Sequence, residues 1–168
     1  YLLSPELSLS AIGLLMILLD MVVRRKGILP AVAVVSLAVP LAFSIALCRE
    51  VNSHPDTQIV GIFNTFVVDK FSLFFKFLFI GVAAVVVLMS TDYVNKLKGF
   101  QIEYYALVLF STSGMMLLAS TTELITIYIA LELTALPIAA LAAFLRDSKS
   151  SESGIKFLVL SGVSSALL

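Results

Sequence analysis

The chain has 168 residues and a formal net charge of zero; 60% of its residues are hydrophobic and 13% charged, with a mean hydropathy of +1.08. A soluble domain holds about 45–50% apolar and about 25% charged residues, so one aqueous core cannot hide this much apolar side chain. A single cysteine, Cys48, excludes an internal disulfide and a Cys-ligated iron–sulfur cluster, a single histidine, His54, excludes a His-rich metal site, and the scattered glycines make no phosphate-binding loop.

The apolar residues come in runs close to the length that a bilayer core of roughly 30 Å demands of a helix. The first run follows Ser4-Pro5-Glu6, a plausible cap and first turn, and predicts a helix over about 7–23, closed by Arg24-Arg25-Lys26-Gly27. It lacks the basic start and small-residue cleavage site of a signal peptide, so it reads as a membrane span. A second helix is expected over about 28–47, with Pro40 as a kink. A polar loop with His54 and Pro55 leads to residues 58–68, which are β-branched and aromatic, too short to span, and interrupted by Gly61 and Asn64. A surface β-hairpin fits them best. Four more helices are expected over about 71–90, 104–119, 121–145 and 153–168, the last without a polar flank, and a start at Tyr1 rather than Met fits a fragment of a longer protein. The expected fold is therefore all-α: a polytopic transmembrane bundle of about six helices, forming one membrane domain, with a short surface hairpin.

Basic residues orient it. Arg24, Arg25, Lys26, Lys96, Lys98, Arg146 and Lys149 follow the odd-numbered spans, whereas only Arg49 and Lys70 follow the even ones. The odd loops belong on the cytoplasmic-type side and the hairpin outside.

Most charges lie at helix ends. Asp20 reads as interfacial, near Arg24; Glu123 suits a helix start; His54 and Cys48 read as incidental. Lys76 lies about five residues into its helix, within snorkelling reach of the headgroups, and a structural and a functional reading fit it equally. Glu132 differs. It lies eleven residues after Thr121 and thirteen before Leu145, near the bilayer midplane, where an ionisable side chain costs roughly 2.5–3.5 kcal/mol to insert. It reads as a proton-titrating group in a transport path, with a neutral helix–helix hydrogen bond as the plainer alternative. Pro137, five residues on, frees a carbonyl one turn back. Lys156, near the start of the last helix, reads on its own as a snorkelling lysine.

Three stretches, EYYALVLFSTSGMMLLAS (103–120), ELITIYIALELTALP (123–137) and SSESGIKF (150–157), with Ser164-Ser165, resemble the N subunit of proton-pumping NADH:quinone oxidoreductase, respiratory complex I. Weaker echoes are Ser4-Pro5-Glu6-Leu7, Leu18-Leu19-Asp20 and Phe66-Val67-Val68-Asp69. The resemblance implies an antiporter-like subunit of roughly fourteen helices, of which this chain holds the first five and part of the sixth. It implies that Glu132 pairs with a lysine on a broken seventh helix, and that Lys156 joins a polar chain towards the cytoplasm. It implies no cofactor in this chain, with flavin, iron–sulfur clusters and quinone in partner subunits. The partners would be the lipid bilayer and other membrane subunits of a hetero-oligomer, with no nucleic acid, in a bacterial or mitochondrial inner membrane. One departure is Leu133-Thr134-Ala135-Leu136-Pro137, where the family more usually has Leu-Met-Ser-Leu-Pro. Two other functions fit the residues: a subunit of a multi-subunit sodium/proton antiporter, and a non-transporting membrane scaffold.

Overall fold

Inside a bilayer every backbone polar group must find a partner within the protein, which leaves helices as the economical solution for apolar runs of this length. The computed structural model describes residues 2–20, 29–53, 59–61, 65–97 and 100–167. Over them the chain forms α1 (Ser4–Asp20), α2 (Leu29–Ser36), α3 (Ala38–Ser53), β1 (Ile59–Val60), β2 (Val67–Val68), α4 (Lys70–Met89), α5 (Thr91–Lys96), α6 (Gln101–Ser120), α7 (Leu124–Ala142) and α8 (Ser148–Ala166). Among the described residues four helical stretches are long and apolar enough to cross a membrane: Val32–Ser53, Lys70–Met89, Gln101–Ser120 and Leu124–Ala142; α1 contributes a shorter apolar helix, Ser4–Leu18. The basic segment Arg24-Arg25-Lys26-Gly27, the Asp20 side chain, Lys98, the loop carrying His54 and Pro55, and the expected hairpin turn at 62–64 lie outside what is described.

The helix expected over 28–47 is broken at Leu37 and runs on to Ser53. Pro40 offers no N–H to the carbonyl of Ser36, and the Leu37 N–H turns instead to the Val34 carbonyl at 3.2 Å. A short extra helix, α5, turns the chain between α4 and α6. Helix α4 begins on a reciprocal cap. The Asp69 carboxylate accepts from the Ser72 N–H at 2.8 Å, and the Ser72 hydroxyl accepts from the Asp69 N–H at 3.0 Å.

Helix α6 is the centre of the bundle, packed against α1, α4 and α7. Its side chains at 111–114 are Ser, Thr, Ser and Gly, all buried, and small residues let helices approach closely where lipid supplies no hydrophobic drive. Leu9, Met16, Ile80, Ala83, Val87, Tyr105, Leu109 and Met116 fill the space between α1, α4 and α6. On α1, Gly13 lies under the Phe110 ring, 3.3 Å from where its Cβ would stand.

The antiparallel pair β1–β2 has the register Ile59↔Val68 and Val60↔Val67. It is stitched to the α6–α7 junction by a bridge between Phe66 and Thr121 and by the Thr122 N–H donating to the Thr65 carbonyl at 3.1 Å. The start of α1, the β1–β2 pair, the start of α4 and the end of α6 thus share one end of the bundle, the end opposite Arg146 and Lys149. At the other end Tyr93, Tyr104, Tyr105 and Phe144 make ring contacts, and the Arg146 guanidinium lies 4.5 Å over the Phe100 ring, as amphipathic rings do at a membrane–water boundary. Asp69→Ala, which removes the α4 cap, is expected to cost about 1 kcal/mol, measured as a lower thermal midpoint in detergent with the helical circular-dichroism signal retained.

Candidate functional site

Helix α7 carries Glu132 halfway along its length, and the neighbours of that residue follow from helical spacing. Ala130, Thr134 and Pro137 share the face turned to α6, and Ala130 and Pro137 are buried there. Glu132 lies about 200° round from Thr134 at 100° per residue, on a face with Ile125, Ile129 and Leu136, each more than half exposed. The Glu132 side chain is half-buried and makes no hydrogen bond or ion pair among the described residues.

The α6–α7 crossing is unusually close. A Cβ on Gly114 would stand 2.5 Å from the Thr134 hydroxyl, 2.7 Å from its backbone nitrogen and 2.9 Å from the Leu133 carbonyl carbon. This is the peptide that Pro137 leaves without a helical donor, because Pro137 has no N–H for the Leu133 carbonyl. The Thr134 hydroxyl meanwhile donates back to the Ala130 carbonyl at 2.9 Å. Gly114, Thr134 and Pro137 together fix the stretch of α7 on which Glu132 stands.

Helices α7 and α8 meet through a second glycine. A Cβ on Gly154 would lie 2.6 Å from the Ala143 side chain and 3.1 Å from the Ala139 carbonyl. Asp147 caps α8 by accepting from the Ser150 N–H at 2.6 Å, and the Ser150 hydroxyl donates to the Ala142 carbonyl at 2.8 Å. Two residues beyond Gly154, Lys156 donates to Glu152 at 2.5 Å, an i,i+4 pair exposed on both partners. With Gly154 packed between Ala139 and Ala143, the antiparallel register sets Lys156 roughly 10 Å nearer the basic end than Glu132, at 1.5 Å per residue. The two side chains singled out from the sequence therefore stand on adjacent helices, at different depths and not in contact.

A second charged pair was not foreseen. Lys76 does not snorkel: it is fully buried, and its Nζ lies 2.8 Å from Glu6 Oε1, whose side chain is 4% exposed. Both charges lie near the outer ends of their helices, and that shared depth was the signal available in the sequence. Around them the Ser120 hydroxyl reaches Glu6 Oε1 at 3.5 Å, and the Ser113 hydroxyl donates to the Glu6 carbonyl at 3.0 Å and lies 2.8 Å from that of Ser10.

Comparison with known proteins follows this geometry. The family described as NADH:quinone oxidoreductase/Mrp antiporter, TM, matches residues 121–168, the segment holding Glu132 and Lys156. The NADH-quinone oxidoreductase subunit N of Dehalococcoides mccartyi is 40% identical over 165 residues, 98% of this chain and 33% of that protein. The Moorella thermoacetica subunit N is 39% identical over 171 residues, 99% of this chain and 34% of its own length. A chain of respiratory complex I from Thermus thermophilus, solved with bound aureothin, superposes with a TM-score of 0.74 at 27% identity, over 96% of this chain and 34% of its own. Over almost its whole length the chain is thus similar to subunit N of NADH:quinone oxidoreductases, and over residues 121–168 to the antiporter-like membrane family. It spans about a third of the length of the curated relatives it matches.

Gly114→Ala is expected to force α7 off α6 at the Glu132 level and to destabilise the bundle by about 1–3 kcal/mol, as overpacking does. A fall in thermal midpoint clearly larger than that of Gly81→Ala, where a Cβ meets nothing within 4 Å, would register it.

Proposed function

We propose that this chain is part of a proton-translocating membrane subunit of a NADH:quinone oxidoreductase, with Glu132 as its proton-binding group and Lys156 as the next cation towards the cytoplasmic side. The observation that carries the reading is Glu132 itself: a mid-helix carboxyl, half-buried, without a partner among the described residues, beside a helix turn whose hydrogen bonding Pro137 has interrupted. Such a side chain is costly in a membrane and is kept where charge must move. The resemblance to subunit N over almost the whole chain supports the same reading.

In this reading Glu132 exchanges a proton between its charged and neutral forms as the charge around it changes. Gly114 and Thr134 hold its helix in place while it does so. Lys156, on exposed α8 and paired with Glu152, changes the field at the cytoplasmic side of that exchange when the pair opens. Electron transfer belongs to partner subunits, and so do the flavin, clusters and quinone. The face of Glu132, Ile129 and Leu136 is where the remaining helices of a relative-length chain would pack, bringing the lysine partner that the resemblance implies.

A second reading is a subunit of a multi-subunit sodium/proton antiporter, which the matching family description also names. A non-transporting scaffold accounts less well for an unpartnered carboxyl at this depth.

Glu132→Ala in the source membrane is expected to lower NADH-driven quinone reduction and proton uptake into inverted vesicles together, by tenfold or more. Unchanged rates would make Glu132 a packing residue, and lost sodium tolerance with intact NADH activity would move the chain to the antiporters.

A further inference from the structure

The Glu6–Lys76 pair lies on the far side of α6 from Glu132, and nothing in the proposed path uses it. Its construction is odd for a structural clamp. Both side chains are buried away from the surface, yet the two charges meet through one contact only. Lys76 Nζ meets Glu6 Oε1 at 2.8 Å, while the remaining ammonium protons find no second acceptor and Glu6 Oε2 no donor among the described residues. A buried ion pair recovers its desolvation cost only when its remaining protons and lone pairs are satisfied. Here they are not, and a neutral pair of similar shape would hold the helices as well.

The surroundings are hydroxylated and lead outward. Ser120 touches Glu6 Oε1, and the next residue, Thr121, carries the bridge to the hairpin. The helices packed around the pair are α1, α4 and α6, with α3 against both α1 and α4. The buried charged side chains on them are Glu6 and Lys76 themselves; α6 offers Ser113 and Ser120, and α3 carries the buried Ser44. We propose that Glu6 and Lys76 form a second proton-exchanging pair, opening to the hairpin side of the membrane. One ammonium N–H already faces Glu6 Oε1 across the 2.8 Å contact. The ammonium then gives its proton to the carboxylate, leaving a neutral amine and a carboxylic acid with no net change in charge, and the acid releases the proton outward past Ser120. A proton supplied to the neutral amine from the opposite, inner side of the membrane restores the pair, so each cycle takes up one proton there and releases one on the hairpin side.

This inference rests on the proton-translocating reading, and two variants separate it from a clamp. Lys76→Arg keeps the charge and the contact but cannot give up its proton, since a guanidinium stays protonated in proteins. Glu6→Gln with Lys76→Met removes both charges at similar volume. Each is made in the full-length subunit, assembled in the complex in its own membrane, and assayed for protons moved per NADH oxidised. The expected result is normal assembly with that ratio at least halved in both, and a deuterium-sensitive carboxyl band in the infrared difference spectrum lost in Glu6→Gln. An unchanged ratio in either assembled variant overturns the proposal, as does failure of both to assemble, which would make the pair a clamp. The Glu132→Ala control keeps the two readings apart. If it abolishes pumping while the pair variants pump normally, only this inference fails; if it changes nothing, the underlying reading fails.

Discussion

Close approach of backbones at α6 is the constraint on which the rest of the bundle depends. Apolar side chains gain little by leaving lipid for one another, so a membrane helix holds its neighbours through fine packing and hydroxyl contacts. Helix α6 meets both demands with adjacent residues. Ser113 reaches α1, bonding the Glu6 carbonyl and the Ser10 hydroxyl, while Gly114 lets α7 come within touching distance of its backbone. Each charged group of interest is thereby placed by α6 without being on it: Glu6 and Lys76 on one side, Glu132 on the other.

The all-α membrane fold was legible from the apolar runs alone, because length and charge spacing follow directly from bilayer thickness. The kink in the second span was legible too, since Pro40 removes a specific donor, although the break falls at Leu37, where the hydrogen bonding first has to change. The β-branched stretch before α4 announced strands; its attachment to Thr121 was not readable, because a bridge between residues 55 positions apart leaves no local pattern.

The candidate site was legible in part. Glu132 stands out by depth, which a sequence reveals, and the resemblance to subunit N directed attention to Lys156. Lys76 was harder. Its distance from the helix start fits snorkelling and burial alike, and only the rotation of α4 against α1 and α6 decides between them. Gly114 was hidden for a similar reason. A lone glycine in an apolar helix is unremarkable until the opposing peptide is known to be the one that Pro137 leaves unbonded.

The attachment of the hairpin has a mechanical consequence. Thr65 and Phe66, just before β2, are tied to Thr121 and Thr122, immediately before α7 begins. The outer end of α7 is therefore pinned, and the Gly114 contact lies along the same helix further in. Held at both points, α7 keeps its freedom beyond Pro137, where the helical ladder is interrupted, and the displacement is largest at the Ala142–Arg146 turn. A swing of that turn would carry α8 with it, because the Ser150 hydroxyl is bonded to the Ala142 carbonyl.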